Sequence, residues 1–391
     1  MDFREYDELA EYRVAARAWA DANIEPAWVE DQHRSGVHQT MALHHRFARD
    51  GLLGAGWPRE YGGTDVDPRF SDAVFSEIAR RGMGADGWST THMVIGTISH
   101  VGTEEQKQRY IGGALRGEIM IVLGYTEPDN GSDAAAAKTS AVRDGDEWII
   151  NGQKMFTSTA QCASHVFVLT RTNPSAPKHD GLTLFVVPTD AAGFEYRPIR
   201  TLGGQETTAT FYSDVRVPDS ARIGGVDDGW NVMRVALVFE RGAGSPMAAA
   251  GRTAGDLLAW AHATDGVNGA APIGDPIVAA RIGRIATEEE VARLLIARTK
   301  FLVAKGELPG VEGSMQKLYN SEVAIRHFEA AVDILGREGI VQWGSADAPA
   351  DGLFERGFRS SVVDTIRGGA SEVLLDIIAS RRLGLPRHRQ R

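Results

Sequence analysis

Residues 138–158 read KTSAVRDGDEWIINGQKMFTS. Three short runs, KTSAVR, EWII and QKMFTS, are separated by Asp144-Gly145 and Asn151-Gly152. Asp-Gly and Asn-Gly between strand-like runs are what a primed hairpin turn requires, because its central residues take positive φ. The stretch therefore reads as successive hairpin strands. The same texture extends over about 121–226, where HVFVLTR, LTLFVVP, FEYRPIR and ATFYSDVRVP bring the number of short runs to seven and predict a small barrel or sandwich.

On either side of this block the apolar period is helical. From about residue 4 to 120 it begins with Tyr6, Leu9, Ala10, Tyr12 and Val14, and Thr103 with Gln106 before Tyr110 and Ile111 reads as a capping box. GAGWPREYGG, from Gly54 to Gly63, interrupts that period and predicts a connecting loop. Beyond Asp228-Gly229 the period returns near 230–263, 274–304, 312–335 and 370–383, which predicts a four-helix bundle. Strands and helices are segregated rather than alternating, so the fold class is α+β multidomain and a doubly wound nucleotide-binding sheet is not expected. The domains fall at 1–120 (helical), 121–227 (β-barrel) and 228–391 (four-helix bundle).

The composition agrees with two or three packed units. The chain has 391 residues, 43% hydrophobic and 24% charged, which excludes disorder as its main state. Val235 to Phe239 is a typical uninterrupted apolar run and falls far short of the roughly 20 residues of a membrane-spanning helix. The charged start MDFREYDELAEYR lacks a secretory apolar segment, and the single Cys162 cannot form an internal disulfide, so a cytoplasmic location is expected. A net charge of −10 argues against a general nucleic-acid surface.

Chemistry could reside in five stretches. Leu123 to Asp133 (LGYTEPDNGSD) and Asn151 to Ser158 (NGQKMFTS) are dense in Thr, Ser and Gly, whose hydroxyls and backbone N–H groups can grip a polar ring or phosphate. The same residues also build any ordinary turn. Glu240-Arg241 follows the apolar run and precedes GAGSP, so a carboxylate lies between an apolar wall and residues too small to fill space, with Pro246 predicting a local kink. Loss of hydration there would raise its pKa toward that of a general base; a Glu paired with a basic residue of another helix is the plainer reading. Arg367 to Glu372 (RGGASE) opens an apolar segment as an anion-binding helix start or as a simple turn capped by Ser371, and Gly336 to Gly339 is equally a phosphate approach or a helix end. No metal site is indicated: the histidines are not clustered as ligands and Cys162 has no neighbour at zinc spacing. GxSxG, P-loop and GxGxxG signatures are missing as well.

Taken in order, these motifs resemble the flavin-dependent acyl-CoA dehydrogenase family over essentially the whole chain. The resemblance runs through Gly56-Trp57-Pro58, Tyr61-Gly62-Gly63, Gly102 to Lys107, Thr126-Glu127-Pro128, Gly131-Ser132-Asp133, Asn151-Gly152 with Lys154, Asp214-Val215 with Val217-Pro218, Glu240-Arg241 and Gly369-Ala370-Ser371-Glu372, and ends at Leu383 to Pro386. It implies FAD held between the β domain and the C-terminal helices, and an acyl-CoA thioester on one flavin face. A carboxylate takes the α-proton while the β-hydride passes to flavin N5. By motif matching, Leu123, Tyr125, Thr126, Gly131 and Ser132 line the flavin and thioester side. Phe156, Thr157 and Ser158 meet the isoalloxazine, with Ser158 where the family usually has Thr. Gly336, Gly339, Gly369, Ala370 and Glu372 contact polar parts of the dinucleotide, partly across a subunit interface.

The family places its base at one of two positions. One is occupied here by Gly368, which has no side chain; the other, the Glu of a Glu-Arg pair as in isovaleryl-type and long-chain-type enzymes, is Glu240, with Arg241 orienting the base or the CoA end. Where the family carries Arg-x-x-Phe-Gly, this chain has approximately Asp265 to Gly269, and Asp333 stands where Gln is common. An acid in place of a cation near a diphosphate is expected to weaken flavin binding. The resulting expectation is a FAD-dependent acyl-CoA dehydrogenase with electron-transfer flavoprotein as acceptor, as a homotetramer or a heteromer with a related subunit. A flavin monooxygenase or oxidase on the same fold is disfavoured by the intact Thr126-Glu127-Pro128 and by Glu240. A non-catalytic partner subunit would account for the missing Arg and Phe but leaves Glu240 without a reason. The acyl group stays open.

Overall fold

Alternate residues of two strands enter two different cores, and this organises the first part of the molecule. Val166 and Val168 of one strand, with Phe185 and Val187 of its neighbour, join Trp148, Ile150, Tyr212, Val215 and Val217 in one buried cluster; Phe167, Leu169, Leu184 and Val186 join residues of the N-terminal helices in another. A strand covered on both faces needs apolar residues at every position, which is why HVFVLTR and LTLFVVP read as unbroken runs.

The computed structural model describes residues 7–242, 253–263, 270–305, 307 and 310–386. Its contacts divide into two compact units, Tyr6–Thr201 with Gln205–Ala243, and Gly244–Arg391 with a few further residues. The first unit begins with α1 (Asp7–Asn23), α2 (Pro26–Ser35), α3 (Met41–Arg49), α4 (Pro68–Arg80) and α5 (Asp86–Val101). Then α6 (Glu104–Gln106) and α7 (Gly112–Leu115) are joined by a π-helical turn over Lys107–Ile111. The expected capping box is present: Gln106 N donates to Thr103 Oγ1 at 3.3 Å, and Thr103 N donates to Gln106 Oε1 at 3.0 Å. The Gly54 to Gly63 stretch is a loop with a single 3-10 turn, Arg59–Tyr61.

The sheet has eight strands: β1 (Ile121–Gly124), β2 (Ser140–Asp144), β3 (Glu147–Lys154), β4 (His165–Arg171), β5 (Leu182–Pro188), β6 (Phe194–Arg200), β7 (Glu206–Pro218) and β8 (Arg222–Ile223). Their order is β6-β7-β3-β2-β4-β5-β8, with β1 added parallel to β4. Side chains from β2, β3 and β7 meet those of β4 and β5 in one core, so the sheet curls on itself in the manner of a barrel. Asp144 pairs with Glu147 across a two-residue turn in which Gly145 has φ 63°, the expected hairpin.

Asn151-Gly152 does not form the second hairpin turn that its composition predicts. It lies inside β3, where the register against β7 shifts between Ile150 and Gly152. The cause is a reciprocal clasp: Asn151 Nδ2 donates to Asp214 Oδ1 at 2.9 Å, and Asp214 N donates to Asn151 Oδ1 at 2.8 Å, with Asp214 itself at φ 52°. Gly152 is required for space, since a Cβ there would lie 2.6 Å from Thr139 Oγ1. EWII and QKM are thus one continuous strand, and the extra residue of the bulge lies on β7 beside Asp214. Helix α8 (Gly229–Gly242) completes this unit, its Val232, Met233 and Ala236 entering the helix-facing core.

The second unit is helical: α9 (Thr253–Ala263), α10 (Pro276–Ala304), α11 (Val311–Leu335), α12 (Leu353–Ser360) and α13 (Ser371–Arg381). Leu257, Ala261, Ile282, Ile285, Ala331, Leu335 and Phe354 form its core. The expected 230–263 segment corresponds to α8 and α9, and Pro246 with its kink lies outside the described residues. Helix α12 is additional to the anticipated helices. Ser371 is not the N-cap of α13; Ala370 holds that position, and Ser371 Oγ donates instead to Glu322 Oε1 at 2.6 Å. Among the described residues no helix is long and apolar enough to cross a membrane.

Candidate active site

Strands β1 and β3 end side by side, and the segments that leave them carry most of the sequence-predicted site residues of the first unit. Beyond Leu123 and Gly124 come Tyr125 and Thr126; beyond Lys154 come Met155, Phe156, Thr157 and Ser158. Met155 N donates to Thr126 O at 2.8 Å and locks the two exits together. Beneath them Lys154 Nζ lies 2.7 Å from Glu127 Oε1 and 3.2 Å from Tyr125 O. The Glu127 carboxylate also accepts from Thr139 N at 2.9 Å, Lys138 N at 2.8 Å and Asn130 Nδ2 at 3.3 Å. Burial pushes the ammonium down to about 8 against the opposing pull of Glu127. Burial alone would raise the Glu127 carboxyl, yet Lys154 and the backbone donors outweigh it and leave it below the ordinary range.

Phe156 is 61% exposed and sits at φ 59°, a conformation that costs an L-residue about 1–2 kcal/mol. Backbone outliers of this kind cluster at active sites and ligand clamps. Its neighbours are fixed: Thr157 N donates to Thr208 O at 2.9 Å, Thr208 Oγ1 donates to Thr157 O at 2.6 Å, and the Ser158 and Thr207 hydroxyls lie 2.8 Å apart. Between Glu127 and Lys138, Ser132 is exposed, and a Cβ built on Gly131 meets no atom within 4 Å. Asp133 pairs with Lys178, and Asp129 with Lys138 at 2.7 Å.

Glu240 stands half-buried near the end of α8, directly after Phe239. Helix α8 packs on α5, where Phe239 stacks edge-on against His100 with centroids 5.1 Å apart. The Tyr125 hydroxyl is held well above its ordinary range, first by burial and then by the negative charge of Glu240. The Arg241 side chain lies outside the described residues.

In the second unit Gly336, at φ 57°, ends α11, and Gly339 packs so closely that a Cβ would lie 2.9 Å from Val332 O. Gly368 and Gly369, at φ 66° and 101°, lead through Ala370 into the first turn of α13, which contains Glu372. Two cations there were missed by sequence reasoning. Lys317 Nζ donates to Gly369 O at 2.6 Å, and Arg281 Nη2 lies 3.2 Å from Asp333 Oδ2, so the acid at position 333 carries its own counter-charge. Both belong to long helices at surface-like spacing, and no local motif distinguishes them. The Asp265 to Gly269 departure lies outside the described residues.

Comparison with known proteins gives consistent matches. The family descriptions "Acyl-CoA dehydrogenase, N-terminal domain", "middle domain" and "C-terminal domain" match residues 6–118, 122–215 and 227–383. "Acyl-CoA dehydrogenase FadE26" of Mycobacterium tuberculosis is 34% identical over 348 residues, covering 88% of this chain and 87% of that protein. Among solved structures, one titled "Tcur3481-Tcur3483 steroid ACAD" superposes with a TM-score of 0.90 at 36% identity, covering 99% of this chain and all of that one. The ChsE4-ChsE5 complex from Mycobacterium tuberculosis gives a TM-score of 0.90 at 32% identity, with both chains covered in full.

Proposed function

We propose, from the premise that the chain belongs to the acyl-CoA dehydrogenase family and is an oxidoreductase, that it desaturates an acyl-CoA thioester between Cα and Cβ with FAD as cofactor and Glu240 as base. What supports this reading is the match of the N-terminal, middle and C-terminal acyl-CoA dehydrogenase domains at residues 6–118, 122–215 and 227–383, with Glu240 half-buried near the end of α8.

The residues present fit a flavin. Phe156 offers an uncovered aromatic face, and Gly131 leaves open space beside the exposed Ser132 hydroxyl. In this reading Leu123, Tyr125, Thr126, Gly131, Ser132, Phe156, Thr157 and Ser158 hold the ring side, and the second unit's Gly336, Gly339, Gly369, Ala370 and Glu372 contact polar parts of a dinucleotide, partly across a subunit interface. When bound, FAD supplies the two-electron acceptor that takes the β-hydrogen as hydride. Glu240 removes the α-proton and retains it on its carboxyl group, so the electron pair left on Cα forms the double bond. The neutral Tyr125 keeps a second negative charge away from that carboxylate, and Ser132 and Arg241 orient the thioester and CoA portions.

One solved relative's title names a ChsE4-ChsE5 complex and another names Tcur3481-Tcur3483. Assembly with a related subunit or as a homotetramer, electron-transfer flavoprotein as acceptor and a cytoplasmic location are further parts of the proposal. The "steroid ACAD" title makes a steroid side-chain acyl-CoA the first substrate to try. The test is an absorbance spectrum of the protein expressed alone, followed by anaerobic titration with straight-chain, branched and steroid side-chain acyl-CoAs. Flavin bleached by one class supports the reading; protein that takes up no FAD when the cofactor is added overturns it.

A further inference from the structure

The Glu127–Lys154 pair has an unusual position for two charges. Their side chains are 5% and 0% exposed, at 2.7 Å, beneath the two segments that leave β1 and β3. A buried ion pair adds little net stability, because the cost of removing both charges from water is similar to what their attraction returns. Stability alone is therefore a weak reason for its presence. The geometry points elsewhere. The Glu127 carboxylate collects the backbone N–H groups of Lys138 and Thr139, the Asn130 amide and the Lys154 ammonium, which closes the loop containing Gly131 and Ser132 onto the sheet. The ammonium at the end of β3 reaches back to the Tyr125 carbonyl. An apolar pair could not do this, since it would leave those backbone groups buried without partners.

We propose that Glu127 and Lys154 form a positioning strut that holds the Tyr125–Thr126 and Phe156–Ser158 segments at one fixed separation, and that through this spacing, without touching the cofactor, they set how tightly the flavin is gripped. The proposal rests on the reading that these segments face the flavin. The strained φ of Phe156 fits such a strut, because a left-handed aromatic residue persists only where its flanks are over-determined.

The test is the double variant E127Q/K154M, which conserves volume and removes both charges together, so that neither is left buried alone. Two quantities are read. Hydrogen exchange of the Lys138, Thr139 and Met155 amides is measured on the flavin-free protein, with the β4–β5 amides as an internal control. The FAD dissociation constant is measured by fluorescence titration. The strut predicts exchange faster by at least about tenfold at the three amides and unchanged in the control. It also predicts a dissociation constant raised at least about tenfold, with a melting temperature close to that of the parent protein. A folded double variant with exchange and affinity both within about twofold of the parent overturns the proposal. If the double variant does not fold, Lys154→Met alone, which leaves the Glu127 carboxylate its donors from Lys138, Thr139 and Asn130, is subjected to the same readouts and the same criteria. Parent protein that binds no FAD removes the flavin reading, while the exchange measurement still decides whether the strut exists.

Discussion

The ring of Phe239 occupies the space that a β-carbon on Gly96 would need: a Cβ built there lies 2.7 Å from Phe239 Cδ1 and 2.9 Å from Cε1. Helices α5 and α8 approach this closely only because residue 96 lacks a side chain, and Phe239 is covalently next to Glu240. Gly96→Ala should displace the Phe239 ring and with it the carboxylate. Overpacking of this kind costs about 1–3 kcal/mol of stability. The expected result is a modestly lowered melting temperature, unchanged flavin content and a fall in kcat greater than the rise in KM. An alanine variant with parental kcat would mean that the α5–α8 contact does not hold Glu240.

Glu240→Gln keeps the shape of the side chain and removes its basicity. Anaerobic stopped-flow reduction by a good acyl-CoA should slow by at least about 10³-fold, while FAD content and thioester affinity stay within a few-fold of the parent. Reduction at an unchanged rate would move the base to another residue.

The acid side of the stability profile should be governed in part by His44. It is fully buried in α3, neither ring nitrogen has a hydrogen-bond partner among the described residues, and burial together with His45 pushes its pKa down to about 4. His165 is likewise pushed down to about 4, by burial and by Arg109. A histidine depressed on folding favours its neutral form, so its contribution is complete above the unfolded value near 6.5 and is lost as pH falls toward 4. For His44 the loss amounts to about 3 kcal/mol. Melting temperatures between pH 7.5 and 4.5 should fall less steeply for His44→Phe than for the parent, and parallel curves would show that the ring is not protonated on unfolding.

How far these features were legible depends on how local their causes are. The segregation of helix and strand follows from periodicity, and HVFVLTR could be recognised because both faces of β4 are covered. Asn151-Gly152 misled because turn composition is local whereas the bulge depends on Asp214, on a strand 63 residues away. Strand β1 was hidden because four residues, Ile121–Gly124, gain their strand identity from pairing with β4. In the site, Glu127 and Lys154 were visible as motif letters but not as a pair. The available signal was parity: Lys154 falls in step with the buried Trp148 and Ile150, and an inward-facing lysine requires a partner. Lys317 and Arg281 carried no such signal, since their partners are set by helix packing alone.

Glu289 should act in the opposite sense to His44. Its carboxylate accepts from Ala254 N at 3.2 Å at the start of α9, and burial, aided by the nearby Asp256, raises its pKa to about 7. A carboxyl raised on folding favours the protonated form, so its contribution is present below the ordinary carboxylate range and is lost as pH climbs through about 7. Glu289→Gln retains the acceptor and cannot ionise. Thermal melts should place it above the parent at pH 8.5 and level with it at pH 5; the reverse order would mean that the charged form is the one the helix start prefers.

Phe156 separates a folding role from a binding role more sharply than any other side chain in the site. At φ 59° and 61% exposed, it carries left-handed strain and little burial. Phe156→Gly removes a strain of about 1–2 kcal/mol, partly offset by the roughly 0.5–1 kcal/mol of backbone freedom that glycine loses on folding. The flavin-free variant should therefore melt no lower than its parent, whereas its FAD affinity should drop by about tenfold or more as the aromatic face is lost. These opposite signs are what distinguish a residue held ready for a ligand from one that supports the sheet. A melting temperature lowered by several degrees with unchanged FAD affinity would assign Phe156 to the fold instead.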